Sequence, residues 1–188
     1  MKPVYSLPYD IGGLMVIPRS KTASAYLRNC YGSYQFKLTF DLLASPTPLP
    51  KDRPVVCELP IAKHKTKNLS LISSTTGKKS STTFNFTEKL GRYERWQASC
   101  TYLREDQIPL HAHESGIEIL GDEKYARLPI PAFRELKRGF KANRKDNNEF
   151  PYHGQAIYLS TLELPDGRIV QTKLPNKMSV FMRLLSLS

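Results

Sequence analysis

YQFKLTFDL (Tyr34–Leu42) alternates without a break, with Tyr34, Phe36, Leu38, Phe40 and Leu42 set against Gln35, Lys37, Thr39 and Asp41. A period of two puts the large apolar side chains on one side of an extended chain. The stretch therefore predicts a strand with one face in a core and the other toward solvent or a ligand. Downstream, SPTPLPKDRP (residues 45–54) ends it, because proline donates nothing to a strand ladder. A strand resumes over residues 55–61, where Pro60 permits only an edge or terminal position.

The same period returns in Arg92–Leu103. Trp96, Ala98, Cys100 and Tyr102 share one face, and Arg95, Gln97, Ser99 and Thr101 the other. Trp96 reads as a core anchor, and Tyr93, beside Arg92 and Arg95 near the strand's start, as the better stacking candidate. Further along, Gln155–Leu164 and Arg168–Leu174 bracket Pro165-Asp166-Gly167, whose Asp-Gly step marks a tight hairpin. Upstream of Tyr34, Leu14–Ile17 reads as a short strand. Ser20 is a candidate cap for a helix through Tyr26-Leu27-Arg28 that stops at Gly32, with an irregular loop as the alternative. Lys177–Leu187 fits a helix capped by Asn176, with Met178, Phe181, Met182 and Leu185 on one side, but it also passes as a buried strand.

These elements describe a β-rich α+β fold, mainly antiparallel sheet, with one to three short helices. An OB-like barrel with embellishments is the first expectation, followed by a sandwich or a ferredoxin-like sheet. With 188 residues, 40% hydrophobic and 24% charged, the chain can bury a core, and it is read as one domain, 1–188. Cys30, Cys57 and Cys100 form no C-x-x-C pair, so buried, reduced thiols in a cytoplasmic protein are expected. No signal peptide is expected, and no apolar run is long enough to span a bilayer.

Charge sorts by segment. The formal net charge is +11. Residues 61–100 carry eight Lys/Arg against two Asp/Glu, residues 101–126 two against six, and residues 127–145 seven against one. Such a balance selects polyanion partners, nucleic acid above all. Within Pro131–Lys145, helical spacing places Phe133, Leu136 and Phe140 on one side and Arg134, Lys137, Arg138, Lys141 and Lys145 on another, with Arg144 beside them. In the other basic block, Lys63, Lys65 and Lys67 alternate and would point one way on an extended chain. Asn68–Thr87 reads as a long hairpin with Lys78 and Lys79 at its tip. These residues, with Arg92, Tyr93 and Arg95, make up the predicted nucleic-acid surface.

Phosphate-cradling, dinucleotide, nucleophile-elbow and H-E-x-x-H motifs are all missing, and no cofactor is implied. His111 and His113 would face one side if residues 110–114 were extended. They could then share a metal with Glu118 or Asp122, although two exposed histidines in an acidic loop is the simpler reading. His153 or His64 could serve as a metal-free acid or base. A nuclease and a capsid or assembly subunit are therefore the rival classes. The expected function is binding of single-stranded DNA or RNA by its backbone, as a subunit of a nucleoprotein complex with other protein subunits and no membrane partner. Neutralising about six phosphates would give a log–log salt slope near −4 on a single strand.

Overall fold

The computed structural model describes residues 2–126 and 154–186. Its centre is the strand predicted from alternation. Lys37–Ala44 (β2) turns Leu38, Phe40, Leu42 and Ala44 into a closed core. Opposite them on Tyr93–Cys100 (β7) stand Cys100, Ala98 and Trp96, in antiparallel register. Trp96 and Phe40 are fully buried, and each such side chain withdrawn from water stabilises the fold by about 1.5–3 kcal/mol.

The main sheet has seven strands. Gly12–Gly13 (β1), Ile157–Glu163 (β8), β2, β7, Thr82–Leu90 (β6) and Val55–Cys57 (β3) follow one another in space, and Ile169–Gln171 (β9) also pairs with β8. A two-stranded sheet of Ile61–Lys63 (β4) and Ser70–Ile72 (β5) stands apart. The sheet is open, not the OB-like barrel expected, because its end strands β1 and β3 pair with different neighbours and never with each other. Every main-sheet pairing is antiparallel except β1 with β8. That parallel pairing needs Gly13, whose φ is +140° and where a Cβ would lie 2.5 Å from the Leu159 carbonyl oxygen.

Three helices appear among the described residues. Lys21–Gly32 (α1) starts at Ser20, whose hydroxyl accepts from the Ala23 amide at 3.1 Å, as capping chemistry requires. Gln107–Glu114 (α2) replaces the extended segment that the paired-histidine reading supposed. Cys30 and Tyr31 of α1 and Ile108 and Ala112 of α2 pack on the Phe40–Trp96 side of the sheet. Asn176–Ser186 (α3) settles the ambiguous C-terminal segment as a helix. Its Met178 and Phe181 cover Leu43, Leu90 and Tyr93 on the other side.

Other expectations shift. Leu14–Ile17 runs alongside the sheet edge, with Leu14 bonded to Leu159 and Val16 to Val4, but only Gly12–Gly13 is a strand. Residues 55–61 break into β3 and the start of β4. The Pro165–Gly167 hairpin forms as predicted, joining β8 to β9. All three cysteines are free and buried, and burial pushes the Cys100 thiol up to about 12. Among the described residues no helix is long and apolar enough to cross a membrane.

Candidate nucleic-acid interface

Residues 68–87 do not fold as one long hairpin. The strand β5 finds its partner behind it in β4, through Ile61–Ile72 and Lys63–Ser70. The chain then turns at residues 73–77, and Lys78 pairs with the other edge of β4. The Ile61 amide donates to the Lys78 carbonyl at 3.0 Å, and the Lys78 amide to the Ile61 carbonyl at 2.8 Å. Gly77 permits this approach, since a Cβ there would sit 2.2 Å from the Ser73 carbonyl oxygen and 2.7 Å from that of Pro60. Lys78 is thus fixed on a small sheet instead of waving on a tip.

This sheet leans against the chain leaving β7, and Asp106 holds the two together. Its carboxylate accepts from the Ser70 amide at 3.2 Å, the Tyr125 hydroxyl at 3.0 Å and the Lys124 ammonium at 2.8 Å. Asp106 itself has φ 54°, a left-handed conformation that L-residues other than Asn and Asp seldom adopt. Burial, and then the Asp106 charge, raise the Tyr125 hydroxyl above its ordinary range, so it stays protonated as a donor.

Between the walls lies a cleft of about 350 Å³ lined by Ile61, Lys63, Lys78, Tyr102, Leu103 and Arg104, among others. Three cations surround it. Lys63 meets Glu105 at 3.3 Å in an exposed pair, which is worth little in water. Lys78 has no acidic partner among the described residues. Arg104 donates through Nε to the Lys79 carbonyl at 2.9 Å and lies 5.0 Å from the centroid of the Tyr102 ring. A fixed cation at a concave, partly apolar surface suits a phosphate-bearing ligand.

The remaining predicted residues are dispersed. Lys65 and Lys67 sit in the exposed bend between β4 and β5, where the His64 Nδ1 accepts from the amides of Thr66 and Lys67. They are not among the residues lining the cleft, and the bend denies them the common direction an extended chain would have given. Arg92 and Tyr93 lie at the far end of β7, eight residues long and so about 26 Å from the cleft end. Tyr93 is only 7% exposed and rests 5.9 Å from Phe181, so it is a core residue and not the stacking platform expected. Arg95 is bound to Asp41 at 2.7 Å and to Glu88 at 2.9 Å, so its guanidinium is already neutralised. Arg134, Lys137, Arg138, Lys141, Arg144, Lys145 and His153 lie outside the described residues.

The histidine pair comes apart. On a helix, positions two apart do not face each other. His111 is fully buried, with Nε2 donating to the Leu59 carbonyl and Nδ1 accepting from the Thr82 hydroxyl, both at 2.9 Å. That tautomer follows because a carbonyl can only accept. Burial lowers the His111 pKa, keeping the ring neutral. His113 instead approaches Glu118 at 3.6 Å. Asp122, the other proposed ligand, uses Oδ1 to accept the amides of Lys124 and Tyr125, and burial raises its pKa.

Sequence reasoning missed Arg104, set in an acidic block. A signal existed: Arg104 directly follows the predicted strand Arg92–Leu103, and continuing its alternation sets Arg104 on the face of Tyr102.

Searches of family models and of curated proteins find no match. Solved structures do match in fold. The chain superposes on human RNA pseudouridylate synthase domain containing 4 with a TM-score of 0.73 and 16% identity, over 98% of this chain and 75% of that one. For human RNA pseudouridylate synthase domain containing 1 the TM-score is 0.66 at 16% identity, over 93% and 69%. At such identity the likeness is one of fold.

Proposed function

We propose that this chain binds RNA in single-stranded form, chiefly through the sugar-phosphate backbone. The observation that carries this reading is the convergence of Lys63, Lys78 and Arg104 on one cleft, with Arg104 held ready by Lys79 and Tyr102. The fold it shares with proteins described as RNA pseudouridylate synthase domain proteins supports RNA over DNA as the polyanion. Backbone contacts fix position without reading bases, so sequence preference is weak. The cations predicted at Arg134–Lys145 extend the basic surface in this proposal. Other protein subunits of a nucleoprotein complex are compatible partners.

The test is fluorescence anisotropy with labelled single-stranded RNA, single-stranded DNA and duplex, across a range of salt. Reversing charge at Lys63, Lys78 and Arg104 together should lower the log–log salt slope by about 2 on a single strand. An unchanged slope, or no binding at low salt, rejects the proposal. Scoring the same RNA for pseudouridine and for strand scission shows whether binding is coupled to chemistry.

A further inference from the structure

We propose that the cleft also takes one unstacked nucleobase, laid on the outer face of the Arg104 guanidinium, with its phosphate on Lys78 and Lys63. The inference rests on the RNA-binding reading and adds a base-holding subsite to it.

The stack beneath that position is already built. Tyr31 lies against Tyr102 with ring centroids 4.6 Å apart and planes 24° apart, which fills one face of the Tyr102 ring. The Arg104 guanidinium carbon, 5.0 Å from the same centroid, therefore occupies the other face. Tyr31 is held from below: its hydroxyl oxygen accepts from the Leu103 amide at 2.8 Å, and the residue is buried. Nε of Arg104 is held by Lys79. Tyr31, Tyr102 and the Arg104 guanidinium thus follow one another, with Tyr31 anchored at Leu103 and Arg104 at Lys79.

The top layer is unfinished. Arg104 lines the cleft, and its terminal amino groups have no hydrogen-bond partner among the described residues. A guanidinium plane carried on an aromatic ring is a good surface for an unstacked base. Its rigidity removes the ordering cost that a free arginine would incur on binding. Tyr34 flanks the stack, 5.8 Å from Tyr102 and 56% exposed. Its φ of 60° is strained for a bulky residue, and such strain clusters at ligand sites. Ile61 and Leu103 are among the lining residues and offer a base some apolar contact, and the volume falls within the range of small-ligand sites.

The experiment compares a short oligouridylate with a strand of equal length made wholly of abasic spacers, so that the phosphates match and only the bases differ. The wild-type protein should prefer the base-bearing strand by about tenfold. Arg104→Lys keeps the charge but loses the plane, and should bring the two affinities to near equality, read as the ratio of the two strands within that variant. Lys78→Ala should weaken both strands alike. Trp96 emission, compared across variants, verifies that each is folded. Equal wild-type affinity for the two strands, or a preference that survives Arg104→Lys, overturns the subsite and leaves RNA binding standing. Failure of both strands to bind at low salt removes the RNA reading and the subsite with it.

Discussion

Ser70 and Asp106 join the two walls of the cleft: the Ser70 amide donates to Asp106 Oδ2 at 3.2 Å, while the Ser70 hydroxyl donates to the neighbouring Glu105 carbonyl at 2.9 Å. The Tyr125 hydroxyl reinforces the join, lying 2.9 Å from the Ser70 amide nitrogen and 3.1 Å from the Ser70 carbonyl oxygen. Asp106 also begins α2, yet its side chain makes no helix cap, because the carboxylate is turned toward the sheet.

Asp106→Ala should therefore free the β4–β5 sheet before it harms the main one. Hydrogen bonds to a charged group are worth about 1.5–3 kcal/mol, and the change removes those from the Ser70 amide, the Tyr125 hydroxyl and the Lys124 ammonium, leaving Ser70 and Tyr125 to bond with each other. Amide hydrogen exchange is the measurement. Ser70 and Lys78 should lose protection by that amount, while Phe40 and Ala98 keep most of theirs. Equal loss at all four sites would mean that the tether is not local.

How much of this was legible in the sequence depends on how far each residue's partner lies along the chain. Phe40 and Trp96 were readable because strict alternation is a local property that any buried strand must show. Asn68–Thr87 was misread because both its ends alternate, whereas pairing is decided by β4 behind it and by β7 ahead. Tyr93 read as a stacking candidate because its cover, Phe181, belongs to a segment whose own conformation periodicity could not choose. His111 and His113 could share a metal only on an extended backbone, and the buried bonds from His111 to Leu59 and Thr82 favour the helix instead. Arg104 was hidden by the sign of its neighbours.

Gly77→Ala tests the same sheet from the other side. The added methyl would press on the carbonyl oxygens of Ser73 and Pro60, both backbone atoms that cannot swing away, and overpacking of this sort costs about 1–3 kcal/mol. The Lys78 strand should detach from Ile61, and affinity for single-stranded RNA should fall with it. Retained exchange protection at the Ile61 and Lys78 amides would show that the backbone accommodates the methyl.

The His111 ring makes stability depend on pH in a definite direction. Its folded-state pKa lies below the ordinary 6.5, first because of burial. As pH falls below about 6.5, the unfolded chain gains a proton that the folded chain resists, so stability declines. The contribution is complete above that value and lost progressively on acidification. Urea titrations followed by Trp96 emission at about pH 7.5 and about pH 5.5 should differ in midpoint. His111→Asn should be less stable at the higher pH and show a flatter profile. An equally steep profile in the variant would assign the dependence to other groups.

Arg95 separates binding from folding. It was expected on the nucleic-acid surface, but its guanidinium is shared between Asp41 and Glu88. Asp41 is 3% exposed and, among the described residues, has only the Ser160 hydroxyl besides Arg95 as a side-chain partner. Burial works against the Arg95 charge, yet the hydrogen bonds to Glu88 and Asp41 outweigh it and raise the pKa. Removing one member of a fully buried pair costs about 3–5 kcal/mol. Since Arg95 and Glu88 retain contact with water, about 2–3 kcal/mol is expected for Arg95→Ala. Asp41→Asn in the same background should recover part of that loss, because it removes the stranded charge. The RNA affinity of the folded Arg95→Ala variant should match the wild type, as should its salt slope. A slope reduced by about one unit, with stability unchanged, would return Arg95 to the interface.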